Sequence, residues 1–300
     1  MGLNSCAAVM VKWCAADTAP HGRVHVDPAE DRSATNPAEE LHAPRRHDCR
    51  SRALDRGRGP RPGIACALAM SPSWTSDEEL FARARRDLFS AVIGDTLDRL
   101  GRRHQFLPPE IQPLRDDMVV VGRAMPVLEA DDEVGKAQGC RDEVLQNPFG
   151  LMLRALDDLK PDEVYVCTGP SRAYASWGEL MSMSARTRGA AGVVIDGWSR
   201  DTPGILALGF PCFSRGRYAQ DQRTRGTVVD FRCPVRISGV DIRPGDAIFG
   251  DLDGVVVMPR EIEAEVFEGA WSKAHGEKRV FEAIKGGMSA QEAWDRFGIF

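Results

Sequence analysis

Glu179, Arg200 and Asp201 are the residues whose types and spacing suit chemistry on a small, oxygen-rich molecule. Carboxylates hold hard divalent cations, and a guanidinium fork stabilises an oxygen anion. Twenty residues separate Glu179 from Arg200, and Asp201 follows directly. Spacing alone leaves plainer roles open: Asp201 as a helix cap, Glu179 as an acid favoured by a helix amino end, and Arg200 as a solvated loop charge.

The elements that must position these groups are legible around them. Trp177, Leu180, Met181, Met183 and Ser184 recur at helical spacing, Gly189 and Gly192 bracket a turn, and Val193–Ile195 is a short apolar run of the buried-strand type. That strand would end at Asp196-Gly197 and deliver Arg200 and Asp201 at its carboxyl end, where α/β proteins gather ligand groups. The backbone N–H groups of Gly178, Glu179 and Leu180 would be free at the helix amino end and suit an anion. Upstream, Ser76-Asp77-Glu78-Glu79 has the form of a capping box ahead of Leu80, Phe81, Ala84 and Leu88, and a second helix is expected over 93–100. Met118–Val121, Ala124–Leu128, Glu163–Cys167 and Pro211–Phe213 read as strands, and 142–159 as an amphipathic helix. From Thr227 the pattern changes to short β segments, at 228–231, 235–237, 247–249 and 255–258, before a helical end from Glu261 onward. Strands alternating with helices imply an α/β fold.

The segment Gly178-Glu179-Leu180, followed by Asp196-Gly197-Trp198-Ser199-Arg200-Asp201, resembles the RraA-like family, which includes divalent-metal 4-hydroxy-4-methyl-2-oxoglutarate aldolases. The resemblance runs from about Trp74 onward and includes GDTLDRLG (94–101), GRAMPV (122–127) and PGDAIFGDLDGVVVMP (244–259). It implies a layered α/β/β/α sandwich resembling the swivelling β/β/α domains, with C-terminal helices over 261–300. It also implies a homotrimer, or a homohexamer built from trimers.

For the site, the resemblance implies Asp201 as the protein ligand of Mg²⁺ or Mn²⁺, with water and a 2-oxo acid completing the shell. Glu179 would orient water, the N–H groups of Gly178 to Leu180 would bind the substrate carboxylate, and Arg200 would stabilise the enolate oxygen. A glutamate from a neighbouring subunit would assist, and Glu277 is the candidate. The implied activity is cleavage of a 4-hydroxy-2-oxo acid to pyruvate, with oxaloacetate decarboxylation through the same enolate. The family also contains non-catalytic regulators that bind an RNA-degrading endonuclease. The retained Arg200-Asp201 pair favours the enzyme.

Other chemistries lack their residues. Between Trp74 and Asp201 the lysines are Lys136 and Lys160, both in polar surroundings and unsuited to a Schiff base. Only His104 and His275 are available for hydrolysis in the expected folded region, and there is no P-loop or G-x-S-x-G elbow. Asp251-x-Asp253-Gly254 resembles the start of a calcium loop, but Ile262 stands where its last ligand belongs, so a turn between strands is expected. Asp95 and Asp98 read as the polar face of a helix.

Composition is that of a globular protein, 43% hydrophobic and 28% charged. A net charge of −5 speaks against nucleic acid as a partner, and no apolar run approaches the roughly 20 residues a membrane helix needs. Cys140, Cys167, Cys212 and Cys233 lie scattered with no C-x-x-C pair, as small buried residues in a reducing cytoplasm would. Residues 1–73 differ: they hold no Phe or Tyr and show no apolar periodicity, so a disordered or non-native extension is expected before a domain over 74–300, with Met70 a candidate start. His21, His25, His42 and His47 fall in that extension.

Overall fold

Two helices open the part of the chain that the computed structural model describes, residues 73–131 and 149–300. The extension over 1–73 with its four histidines, Ser73 apart, lies outside the described residues. So do Lys136, Cys140 and the first part of the helix expected over 142–159. Helix α1 (Asp77–Asp87) starts at the predicted cap, with Ser76 Oγ accepting from the Glu79 N–H at 3.2 Å. Glu79 turns its own carboxylate to Thr75 instead of closing the box. Helix α2 (Ser90–Arg99) has no side-chain cap from its own N-cap residue, Phe89.

A mixed sheet follows, built from β1 (Gln112–Pro113), β2 (Val120–Asp131), β3 (Glu163–Thr168), β5 (Gly192–Ile195), β7 (Cys212–Ser214), β8 (Gly226–Phe231), β11 (Ala247–Asp251) and β12 (Gly254–Met258). Its spatial order is β1-β7-β5-β3-β2-β11-β12, with β8 paired to the far end of β2. Strands β2, β3, β5 and β7 are mutually parallel, so their carboxyl ends share one edge. Two small ribbons stand apart: β4 (Ala175–Trp177) with β6 (Trp198–Ser199), and the hairpin β9 (Val235–Ile237) with β10 (Val240–Ile242). Helices α3 (Met152–Asp158), α4 (Glu179–Thr187) and α5 (Thr202–Leu208) fall between strands, and α6 (Glu263–Lys285) and α7 (Ala290–Phe297) end the chain.

Period-two alternation divides the interior between the two faces of the sheet. Val121, Phe249 and Val256 join a core with α1, α2 and α6. Their strand neighbours Val120, Ile248 and Val257 join the other core, with the β9–β10 hairpin and residues of α3, α4 and α5. The result is the α/β class with C-terminal helices that the sequence implies. The Asp251–Gly254 segment is the tight turn of the β11–β12 hairpin, and Asp251 accepts from the Ser90 N–H at 2.7 Å and the Ser90 hydroxyl at 2.6 Å, capping α2 from another element.

Three local expectations are corrected. Trp177 belongs to a strand, not to the following helix, which starts at Glu179. Leu180 and Met183 are exposed, so the buried face of that helix is carried by Ser182 and Ala185. The two strands expected on either side of Gly122 are one twelve-residue strand, β2. Gly122 serves close approach: a side chain there would strike the Asp162 carbonyl of the neighbouring segment. None of the described helices is long and apolar enough to cross a membrane.

Candidate active site

Parallel pairing of β4 with β6 builds the site. Ala175 lies beside Trp198 and Trp177 beside Ser199, so the residues following each strand emerge together. The Arg200 N–H donates to the Trp177 carbonyl at 2.9 Å and closes the ribbon. Trp177 anchors it: the ring is buried against Tyr165 and Phe210, and its Nε1 donates to Ser182 Oγ at 2.7 Å. The amino ends of α4 and α5 are thereby set side by side, with Gly178 and Asp201 at their cap positions.

Asp201 holds the cap position but does not cap. Its side chain makes no bond to its own helix, and its backbone is left-handed at φ 56°, a conformation that Asp tolerates better than most residues. The carboxylate instead leans across to α4, where Oδ2 accepts from the Glu179 N–H at 3.4 Å. Gly178 makes room for it, since a Cβ there would lie 2.7 Å from that oxygen. A carboxylate diverted from a cap to a neighbouring helix end is available to a ligand.

Arg200 lies against it, with Nε 3.7 Å from Asp201 Oδ2 and Nη1 3.1 Å from Asp221 Oδ1. Both acids are partly open to solvent, so these pairs orient the guanidinium more than they stabilise the fold. Asp221 carries no local signal in the sequence. It is found only because the isolated bridge between Ala175 and Asp221 brings its loop to β4.

These groups border a cleft of about 390 Å³, a size usual for small-molecule sites. Gly178, Leu180, Arg200 and Asp201 all line it, together with Asp221 and Gln222. Gln222 is buried and its Nε2 has no partner among the described residues. Glu179 behaves differently. Its carboxylate folds onto the first turn of α5 at Gly204, where a Cβ would collide with it, and it does not line the cleft. Glu277 is not brought to the cleft within one chain; it pairs with Lys273 at 2.8 Å on α6, and Lys273 also meets Asp95 at 3.1 Å. Ser199 and Trp198, the intervening residues of the motif, turn away: Ser199 is buried against Ser214, and Trp198 Nε1 donates to the Arg172 carbonyl.

A divalent cation fits this donor set in one form. Among the described residues no three His, Cys, Asp or Glu side chains converge, so a closed protein cage is absent there. With Asp201 as its protein ligand, such a set suits an ion that keeps most of its waters, as Mg²⁺ does, and does not suit a structural zinc site.

Beyond the cleft, burial pushes the Glu129 carboxyl up to about 8, with Cys167 Sγ its hydrogen-bond donor at 3.5 Å. Cys167 and Cys212 are buried thiols, as the sequence suggests, and burial raises both above the ordinary thiol range.

Comparisons with known proteins bear on the family and the fold. Residues 90–257 match the RraA-like family model, described as Aldolase/RraA. A protein of Halalkalibacterium halodurans, provisionally named a 4-hydroxy-4-methyl-2-oxoglutarate aldolase, is 32% identical over 212 residues, covering 70% of this chain and 90% of its own length. An uncharacterised protein of Pseudomonas syringae pv. tomato has a similar structure, with a TM-score of 0.61 at 27% identity over 72% of this chain and 96% of that one. Streptomyces coelicolor RraAS2, described as an unusual member of the RNase ES inhibitor RraA protein family, gives a TM-score of 0.59 at 26% identity, covering 70% of this chain and 100% of that one. With its motif, its fold and its relatives in agreement, the chain belongs to the RraA-like family.

Proposed function

We propose that the chain is a divalent-metal-dependent carbon–carbon lyase that cleaves 4-hydroxy-2-oxo acids, of the 4-hydroxy-4-methyl-2-oxoglutarate type, to pyruvate. Oxaloacetate would lose carbon dioxide through the same enolate. The observation that carries this reading is the Arg200–Asp201 pair at a cleft, with Asp201 diverted from capping its own helix.

Asp201 would hold Mg²⁺ or Mn²⁺, and a cation bound there supplies electrophilic polarisation of the 2-oxo group. The Glu179 N–H at the start of α4 is taken by Asp201, so the N–H groups of Gly178 and Leu180 would serve the substrate's C1 carboxylate. Arg200, steadied by Asp221, donates from its fork to the C2 oxygen. The C4 hydroxyl gives its proton to water in the cleft, the C3–C4 electron pair becomes the C2=C3 bond while the carbonyl pair moves onto the C2 oxygen, and C4 leaves as a carbonyl. Arg200 stabilises the enolate oxygen while C3 takes a proton from solvent to give pyruvate. Glu179 would order water near the start of α5. Glu277 enters this proposal only from a neighbouring subunit of a homotrimer or homohexamer.

A regulator that binds an RNA-degrading endonuclease is the alternative, supported by the relationship to RraAS2. The Arg–Asp pair at a formed cleft favours the enzyme. Coupled assay of pyruvate release from oxaloacetate and from 4-hydroxy-2-oxo acids tests the proposal. Activity is expected with Mg²⁺ or Mn²⁺, to vanish in EDTA, and to fall at least about 100-fold in Arg200→Ala and Asp201→Ala. Full activity in EDTA would defeat it.

A further inference from the structure

Two buried polar side chains at the cleft have no partner in the fold. Among the described residues, the buried side-chain atoms without a hydrogen bond are Glu129 Oε1, Ser176 Oγ, Gln222 Nε2 and Trp271 Nε1. Ser176 and Gln222 both line the cleft. They are 3% and 4% exposed, so bulk water does not satisfy them. A buried polar group left unpaired is costly, and native proteins keep few without a reason.

The backbone sets the two side by side. Ala175 forms a parallel bridge with Asp221, and its N–H donates to the Gln220 carbonyl at 2.8 Å. Ser176 and Gln222 are the next residues on the two segments and therefore lie abreast. The Gln222 carbonyl accepts from the Arg225 and Gly226 N–H groups at 2.8 and 3.0 Å, which holds the turn that carries it. A serine hydroxyl rotates freely, and a half-turn of the glutamine amide exchanges its donor and acceptor edges. The pair can thus turn donors to the cleft without a change in the backbone.

Their place along the cleft follows from Arg200. Its Nε lies toward Asp201 and its Nη1 toward Asp221. Gln222 follows Asp221, so the pair belongs to the side of Arg200 away from the cation position. The substrate's C1 carboxylate and C2 oxygen are served by the amino end of α4, the cation and Arg200. The oxygen carried on C4 still needs a donor.

We propose that Gln222 and Ser176 form a polar subsite for the C4 half of the substrate, with the Gln222 amide N–H donating to the oxygen carried on C4. This rests on the lyase reading above and deepens it. The oxygen is the hydroxyl of a 4-hydroxy-2-oxo acid or a carboxylate oxygen of oxaloacetate, and a neutral donor suits both. As the hydroxyl proton leaves for water, the same N–H stabilises the charge left on the oxygen.

The test measures kcat/KM for pyruvate release, with Mg²⁺ present, from 4-hydroxy-2-oxoglutarate and from oxaloacetate. Gln222→Met is expected to lower it at least about tenfold and Ser176→Ala about threefold. Exchange of the pyruvate methyl protons with deuterium, which involves no C4, should fall less than about twofold in either variant. Neither atom has a partner in the free protein, so the urea unfolding midpoints should stay level or rise. A fall with the hydroxy acid alone would support the subsite and identify the hydroxyl as the oxygen bound; a fall with oxaloacetate alone would support it and identify the carboxylate. No fall with either substrate, or an equal loss of cleavage and exchange, overturns the proposal. Competition in the wild-type chain decides the matter if Gln222→Met does not fold. An ether oxygen enclosed without a donor binds more weakly than the methylene it replaces, so 4-methoxy-2-oxobutanoate should compete at least as strongly as 2-oxohexanoate, and weaker competition overturns the subsite. Wild-type exchange without a C4-dependent loss in the variants leaves the lyase standing and sinks the subsite, whereas no wild-type exchange sinks both.

Discussion

Replacing Gly178 by alanine separates the placement of Asp201 from the stability of the fold. The backbone at Gly178 has φ −154° and ψ −175°, an extended conformation that alanine adopts freely. The added Cβ would lie 2.7 Å from Asp201 Oδ2, closer than real Cβ contacts allow. Nothing rigid stands in the way: the struck atom is the end of a side chain that can rotate aside. Loss of the glycine cap and this rotation together are expected to cost about 1 kcal/mol of stability. The carboxylate, however, must leave the Glu179 N–H. Displacing a group that sets a metal ligand lowers affinity or activity about 10- to 100-fold, and that is the expected fall in both Mn²⁺ affinity and kcat/KM. Calorimetric Mn²⁺ titration and pyruvate release would measure the two, with urea unfolding as the control. A variant that folds, binds Mn²⁺ and turns over like wild type would refute the claim that this oxygen, in this position, holds the cation.

Two further outcomes concern the scaffold. Burial holds the Glu129 carboxyl protonated up to about 8, whereas the unfolded chain releases that proton in the ordinary carboxylate range. Between those values the folded state binds more protons, so stability falls as pH rises, by about 1.4 kcal/mol per pH unit. Glu129→Gln should abolish this slope, and parallel stability–pH curves for wild type and variant would contradict it. Asp251→Ala removes the acceptor for the Ser90 N–H and hydroxyl and should cost about 1–2 kcal/mol in urea unfolding while kcat/KM stays unchanged; an unchanged unfolding midpoint would show that the cap contributes nothing.

The residues of the candidate site were singled out by a motif resemblance, since spacing alone left plainer roles open. The structure brings Asp201, Arg200, Leu180 and Gly178 to one cleft. What brings them together was not legible. Strands β4 and β6 are three and two residues long, too short for any alternation to show. Trp177 therefore read as helical, because Leu180, Met181 and Met183 follow at helix-like spacing. In the structure Leu180 and Met183 are exposed, and Leu180 faces the cleft, not the core. Asp221 was invisible for a different reason: its contact with Arg200 spans a loop between distant strands. Glu179 was singled out by motif position, yet its carboxylate is drawn to Gly204, a neighbour that local pattern does not reveal. The hairpin turn at Asp251–Gly254 and the cap at Ser76 were recovered, since a few adjacent residues determine them.

The central claim is that Asp201 and Arg200 stabilise a pyruvate enolate. Proton NMR of pyruvate in deuterium oxide, with Mg²⁺ and the wild-type chain, follows that enolate directly as loss of the methyl signal. Catalysed exchange is expected, stopping on addition of EDTA and lost in Arg200→Ala. Exchange no faster than in buffer with Mg²⁺ alone, or undiminished in Arg200→Ala, would contradict it.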